Sequence, residues 1–239
     1  MKSSFTSYDK ISNESRDGTG NKKRGNQEIN KDLLACGILS SVLYVMMNIV
    51  GPMLYGNYRP VSQTVSELSA IGAPTRALWV ALAALYTVLF LAFAWGVQQA
   101  GKTNRRLRIT GNLLLVYGII SLAWPFAPMH QREVLAAGGE TISDSLHIAL
   151  AMITVPLMLL AIGFGAGAFG KRFCIYSISS LVVLCFFGVL TGIDGPKISQ
   201  NLPTPWIGIW ERILIAVFLL WISVLANLLL RQEPANKFK

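Results

Sequence analysis

Six runs of nearly uninterrupted apolar residues alternate with short polar stretches along this chain. They cover about 33–52, 77–97, 109–129, 145–169, 173–193 and 207–230. About 20 residues of helix cross a hydrocarbon core, so each run predicts a transmembrane helix. Six spans and their connections use nearly everything after residue 32, which leaves no room for a separate soluble domain. The expected fold is all-α: a polytopic membrane protein with a six-helix domain over 33–230 and a short tail over 231–239.

Residues 1–32 differ in kind. They are rich in Ser, Asn, Lys, Asp and Gly and have almost no large apolar side chains. Such a segment cannot bury enough surface to offset its ordering entropy, so the composition predicts a disordered tail. It does not read as a secretory signal: the charged part is too long, the apolar run is full length, and no small-x-small site follows.

The formal net charge is +9, with 21 Lys and Arg. With the N-terminus in the cytoplasm, 16 of the 21 fall inside: seven in the tail, Lys102, Arg105, Arg106, Arg108, Lys171, Arg172, Arg231, Lys237 and Lys239. Five fall outside: Arg59, Arg76, Arg132, Lys197 and Arg212. That is the positive-inside bias, and it predicts both termini on the cytoplasmic side of a plasma membrane. The basic charge is thus a topology signal in contact with the lipid bilayer, not a footprint for nucleic acid. The cysteines, Cys36, Cys174 and Cys185, form neither a disulfide framework nor a C-x-x-C pattern and read as buried thiols.

Under this topology the inner loops are short and basic, whereas the outer loops, about 53–76, 130–144 and 194–206, carry most of the unusual polar residues. Pro125 and Pro128 should kink or end the third span. Asp194-Gly195-Pro196 reads as a turn. Gly163 and Gly167 have small-xxx-small spacing, which predicts close helix packing. Tyr55, Trp79, Trp124, Trp206 and Trp210 lie where interfacial aromatics collect. Asn48 and Thr191 fall near the outer ends of their spans, where they could help line a cavity.

The polar stretch "YRPVSQTVSEL", 58–68, holds a capping box in Thr64-Val65-Ser66-Glu67, with stop signals at Gly72 and Pro74. It predicts a short outer helix starting near Thr64, with Glu67 turned to its own amino end or to a basic partner. Ser62, Ser66 and Ser69 would share a face. Glu211 is harder to explain as a cap. A last helix starting at Pro205, capped by Thr204, puts it about 9 Å along the axis, past the first turn. A carboxylate there needs a partner, a proton or water. Leu214, Ile215 and Phe218 would floor a pocket beneath it, Arg212 would point away, and Arg59 or Arg76 could pair with it. Asp144 and His147 are three apart and share a helix face. His130, Asp144, His147 and Glu211 are ligand types for a zinc-type metal, but they are scattered and no H-E-x-x-H helix joins them.

Three stretches carry a family resemblance: "YRPVSQTVSELSAIGAP", "SDSLHIALAM" and "GIWERILIAVFLLWISVLANLLLR". They resemble DUF998, a bacterial and archaeal family of membrane proteins, over about 33–230. The resemblance implies six spans and no settled activity. Members carry an F-P-T-D-P-like stretch after the third span. Here it reads "FAPMHQ", 126–131, without the aspartate and with His130 nearby.

No G-x-S-x-G elbow, P-loop or dinucleotide fingerprint is present. Two classes of function remain. One is a binding protein whose outward pocket, with Ser62, Ser66, Glu67, Asp144, His147, Glu211 and Arg212, takes a small molecule or lipid headgroup, as sensor, accessory subunit or carrier. The other is a membrane-embedded hydrolase or transferase on a lipid-like substrate. There Glu211 or Glu67 would be the base, His147 the acid–base or metal group, and Ser62 or Ser66 would position substrate. A purely structural subunit is the third alternative.

Overall fold

The computed structural model describes the backbone of residues 8–232 and the side chains of 31–232. The described residues contain no strand. The helices are α1 (Tyr8–Leu54), α2 (Arg76–Ala100), α3 (Arg105–Ser121), a short α4 (Arg132–Ala136), α5 (Ile142–Ala166), α6 (Lys171–Ser199) and α7 (Ile207–Arg231), with 3-10 turns at Val65–Ser69 and Trp124–Phe126. Six of these helices are long and apolar enough to cross a membrane, the first over Lys31–Leu54. The tail expected over 1–32 falls mostly outside the described side chains, although the backbone from Tyr8 continues α1. Residues 1–7, and residues 233–239 at the other end, lie outside the described residues.

The six long helices form a closed ring. Each packs on the next in sequence, and α7 closes on α1. Consecutive helices are neighbours in space whether their connection is short, as between α2 and α3, or long, as between α1 and α2. Inside the ring lies an aromatic core of Tyr86, Phe90, Tyr117 and Phe218, with Phe90 5.0 Å from Tyr117 and Tyr117 5.4 Å from Phe218 between ring centroids. The outward faces carry Leu39, Val42, Leu85, Val88, Phe186 and Val189, all exposed apolar groups suited to lipid tails. Hydrocarbon is no less apolar than leucine, so the ring is held by close packing and a few buried hydrogen bonds. Ser41 donates to the Leu219 carbonyl across α1 and α7 at 3.1 Å, and the Trp221 indole donates to Ser177 Oγ across α7 and α6 at 3.0 Å.

Several local expectations change. Gly165, not Gly163, is the packing glycine: a Cβ on Gly165 would lie 2.7 Å from the Trp221 ring, whereas one on Gly163 would meet nothing within 4 Å. Cys185 is exposed and Cys36 and Cys174 are half-buried, so the thiols are not core residues. Trp79 is buried beside Tyr44 instead of lying at the lipid surface. Asp194-Gly195-Pro196 lies inside α6, not in a turn. The missing Pro196 amide costs one helical bond. Against that loss, Lys197 bonds Asp194 at 2.7 Å, and Ile198 packs into a small core with Leu135 of α4. The last helix starts at Ile207 with Trp206 as its cap residue, so Thr204 is not its cap and Glu211 is its fifth residue.

The two ends of the ring differ. The connections α2–α3 and α5–α6 are short, and they lead into basic first turns of α3 and α6. At the other end, the segments 55–75, 122–141 and 200–206 fold over the ring as a cap, with its own apolar cores around Leu68, Trp79 and Ile207. The candidate residues all lie in or under this cap.

Candidate functional site

The cap is organised on the short 3-10 turn that follows Thr64. Its capping box closes as the sequence spacing predicts: the Thr64 amide donates to Glu67 Oε2 at 2.7 Å, and the Thr64 hydroxyl donates to the same oxygen at 3.0 Å. The turn is 3-10 and ends at Ser69; Gly72, at φ +85°, makes the later reversal. Pro74 precedes Thr75, the residue before α2, so it stands outside the first turn of that helix.

Glu67 is 4% exposed and finds its basic partner in Arg132, at the start of α4. Arg132 Nε donates to Oε1 at 2.6 Å and an Nη to Oε2 at 2.9 Å, the two-pronged geometry that guanidinium and carboxylate planes favour. The remaining arginine donors reach Thr204 Oγ1 at 2.7 Å and the Ser62 carbonyl at 3.0 Å. Thr204 itself donates to the Ser62 carbonyl at 3.0 Å, and Gln63 donates to Glu67 Oε1 at 3.2 Å. One buried ion pair thus ties all three cap segments together, and its groups are bonded out.

Arg212 serves a parallel purpose. Its guanidinium, which makes no hydrogen bond to Glu211, donates to the carbonyls of Pro60, Gln63 and Gly208 at 2.7, 3.1 and 3.0 Å and to the Tyr58 hydroxyl at 2.6 Å, and it lies 5.6 Å from the Tyr58 ring centre. The Tyr58 hydroxyl donates to the Thr64 carbonyl at 2.7 Å. Burial raises the Tyr58 phenol above its ordinary value, and the adjacent guanidinium offsets part of that rise, so it is a neutral donor here.

Glu211 differs from these groups. It pairs with neither Arg59 nor Arg76; Arg76 donates instead to the Ser69 carbonyl. Glu211 Oε2 accepts from the Val65 amide at 2.6 Å, so α7 caps the 3-10 turn from a distant part of the chain. Its other carboxylate oxygen makes no hydrogen bond among the described residues. The hydroxyls of Ser62 and Ser66 are likewise unbonded there and half-buried. Leu214 and Phe218 are buried in the core and Ile215 packs beside the cap, which gives the apolar floor expected below Glu211.

The histidines form separate local structures. His130 donates through its amide and Nδ1 to Asp144 at 2.7 and 2.8 Å, and Asp144 also accepts from the Thr141 amide at 2.9 Å. Asp144 is therefore both cap of α5 and orienter of His130. His147 Nδ1 is 2.8 Å from the Ala127 carbonyl and its ring stands edge-on to Trp124. No hydrogen bond among the described residues links His147 to Glu67, Glu211 or the Asp144 carboxylate. The zinc-type set of His130, Asp144, His147 and Glu211 does not assemble: among the described residues no three His, Cys, Asp or Glu come together to hold a metal. The physical reason is that the candidates are held in separate places: His130 and Asp144 bind each other, His147 is tied to the Ala127 carbonyl, and Glu211 to the Val65 amide. Asn48 donates to the Tyr44 carbonyl and Thr191 to that of Phe187, each within its own helix.

Sequence reasoning missed Arg132, Thr204 and Tyr58 as organisers of the cap. A signal existed for Arg132: it is one of only five cations placed on that side, and the buried Glu67 requires one.

Residues 38–227 match the family model described as "Protein of unknown function (DUF998)". No curated protein and no solved structure matches the chain.

Proposed function

We propose, for a chain that belongs to the DUF998 family of proteins of unknown function, that this multi-pass membrane protein binds a small molecule or lipid headgroup under its cap, with Glu211 as the ligand-holding carboxylate. The observation that carries this is a contrast. Glu67, Arg132, Arg212 and Asp144 have their hydrogen-bonding capacity taken up by the protein, whereas Glu211 keeps one oxygen over. An ionisable group inside a span is costly unless it is used, so spare capacity there marks a site. Unbonded hydroxyls at Ser62 and Ser66, the latter next to the Val65 amide that holds Glu211, extend the same surface. The complementary ligand carries a hydrogen-bond donor, an ammonium or a hydroxyl, as the headgroups of ethanolamine and glycerol lipids do. The split of basic residues supports a plasma-membrane orientation with both termini cytoplasmic and the cap outside. The molecule then acts as a sensor, accessory subunit or carrier.

Thermal stability of purified protein tests this with glycerophosphoethanolamine, glycerophosphocholine and glycerophosphoglycerol as probes. At least one probe should stabilise wild type and lose that effect in Glu211→Gln, which keeps an acceptor for the Val65 amide. Equal shifts in both proteins, or none in either, contradict the reading.

One observation favours a second reading, a lipid-directed hydrolase or transferase. Asp144 orients His130 as an acid–base group is oriented, with the other ring nitrogen unbonded among the described residues. The roles earlier considered for Glu67 and His147 weaken, because both are committed to structural bonds. Release of product from a radiolabelled phospholipid extract, abolished in His130→Ala, would establish the enzyme over the binding protein.

A further inference from the structure

We infer that the basic end of the ring holds a second site, remote from the cap, for the headgroup of an anionic diacyl phospholipid. An open groove of about 430 Å³ lies there between α3, α5 and α6, lined by Arg106, Gly163, Phe164, Cys174, Ile178 and Leu181. That volume falls in the range of sites for small ligands. Its chemistry is graded along its length. At one end stands Arg106, exposed, with one guanidinium nitrogen 3.1 Å from the Gly167 carbonyl and the others without a hydrogen bond among the described residues. Lys171 lies on the same stripe of α6 as Cys174, Ile178 and Leu181, so it overhangs the same end. The rest of the wall is apolar, and Phe164 and Ile178 are exposed to whatever surrounds the ring. Gly163 leaves the groove open where any side chain would partly fill it.

Charge complementarity selects the occupant. The two connections that frame this end, with the first turns of the helices they lead into, 101–108 and 167–172, contain Lys102, Arg105, Arg106, Arg108, Lys171 and Arg172 and no acidic residue. A basic pocket between spans, with apolar walls running from it toward the hydrocarbon, fits a phosphate with two acyl chains attached. A free anion would use the cations but leave the apolar wall uncovered. A zwitterionic lipid would cover the wall but bring an ammonium to a cationic rim.

Native mass spectrometry of the full chain in detergent, titrated with phosphatidylglycerol or phosphatidylcholine of identical chains, tests the site. Wild type should retain phosphatidylglycerol preferentially. Arg106→Gln should weaken that retention about fivefold, the effect of one cation on an anionic lipid. Gly163→Leu should weaken it at least as much with every charge in place, because it fills the groove from a position that faces open space. Lys102→Gln, at the same end but off the groove, should change it less than twofold. Equal losses for Lys102→Gln and Arg106→Gln, or unchanged retention in Gly163→Leu, would show diffuse surface attraction and overturn the site.

Discussion

Removing Arg132 should loosen the whole cap. Its side chain is 11% exposed and that of Glu67 5%, so the pair sits in a medium that screens poorly. Arg132→Ala deletes both bonds to Glu67 and those to Thr204 and Ser62, and leaves a buried carboxylate held by Thr64 and Gln63 alone. Breaking one side of a buried pair costs about 3–5 kcal/mol. For a chain of this size each kcal/mol moves a midpoint by roughly 2–4 °C. The expected drop is therefore roughly 6–20 °C, read by tryptophan fluorescence on heating purified protein in detergent. Glu67→Ala should cost a similar amount, since it strands the guanidinium and uncaps Thr64. The double variant should be little worse than either single, a coupling of about 2 kcal/mol or more between contacting residues. Proteolysis should show where the loss falls, with early cuts in 127–141 and 200–206 while the spans persist. Single variants within 2 °C of wild type, or singles whose effects simply add, would refute the idea that this pair holds the cap.

Tyr58→Phe should cost about 1–3 kcal/mol, because it removes the donor to Thr64 and the acceptor for a half-buried guanidinium. The folded phenol titrates above its ordinary value of 10.0, so its contribution is complete at neutral pH and fades as pH rises above 10 toward the folded value. The wild-type advantage over Tyr58→Phe should shrink across that alkaline range and stay constant below it, as melting curves at several pH values would reveal. Gly165→Leu should disrupt packing against Trp221 and cost about 1–3 kcal/mol or more, while Gly163→Ala should be near neutral; a reversed order would contradict the α5–α7 contact. Thr103→Cys and Glu140→Cys, both at exposed positions, report orientation in a cysteine-free background. An impermeant thiol reagent should label Glu140→Cys and spare Thr103→Cys in intact cells. The neighbouring Gly101 is unsuited to this, because a Cβ there would lie 2.5 Å from the Arg108 backbone.

The spans were legible because membrane crossing imposes a length and a composition that no local detail can mask. The capping box at Thr64 and Glu67 was legible because its spacing is local. What escaped was long-range satisfaction. Arg132 is 65 residues from Glu67 in the chain, and no periodicity links a loop cation to a distant carboxylate. Thr204 looked like a helix cap because Thr before Pro is a start signal, but Arg132 and the Ser62 carbonyl claimed its hydroxyl. Asp194-Gly195-Pro196 looked like a turn by composition, and tertiary contact with α4 kept it helical. His147 and Asp144 do lie close along α5, but nearby carbonyls and amides satisfied each first. Glu211 was singled out from its depth alone, and the structure supplies what the sequence could not: one partner, the Val65 amide, and one oxygen without any.

The central claim is that, of the three enclosed carboxylates Glu67, Asp144 and Glu211, only Glu211 has an oxygen available to a ligand. Dicyclohexylcarbodiimide, an apolar reagent that reaches carboxyl groups from within a membrane, tests this directly. Membranes containing the protein are treated, the protein is digested, and the modified residues are located by mass spectrometry. Modification should concentrate on Glu211, with Glu67 and Asp144 spared because backbone amides, Arg132 and His130 occupy their oxygens. An unmodified Glu211, or Glu67 and Asp144 modified to the same extent, would contradict the account.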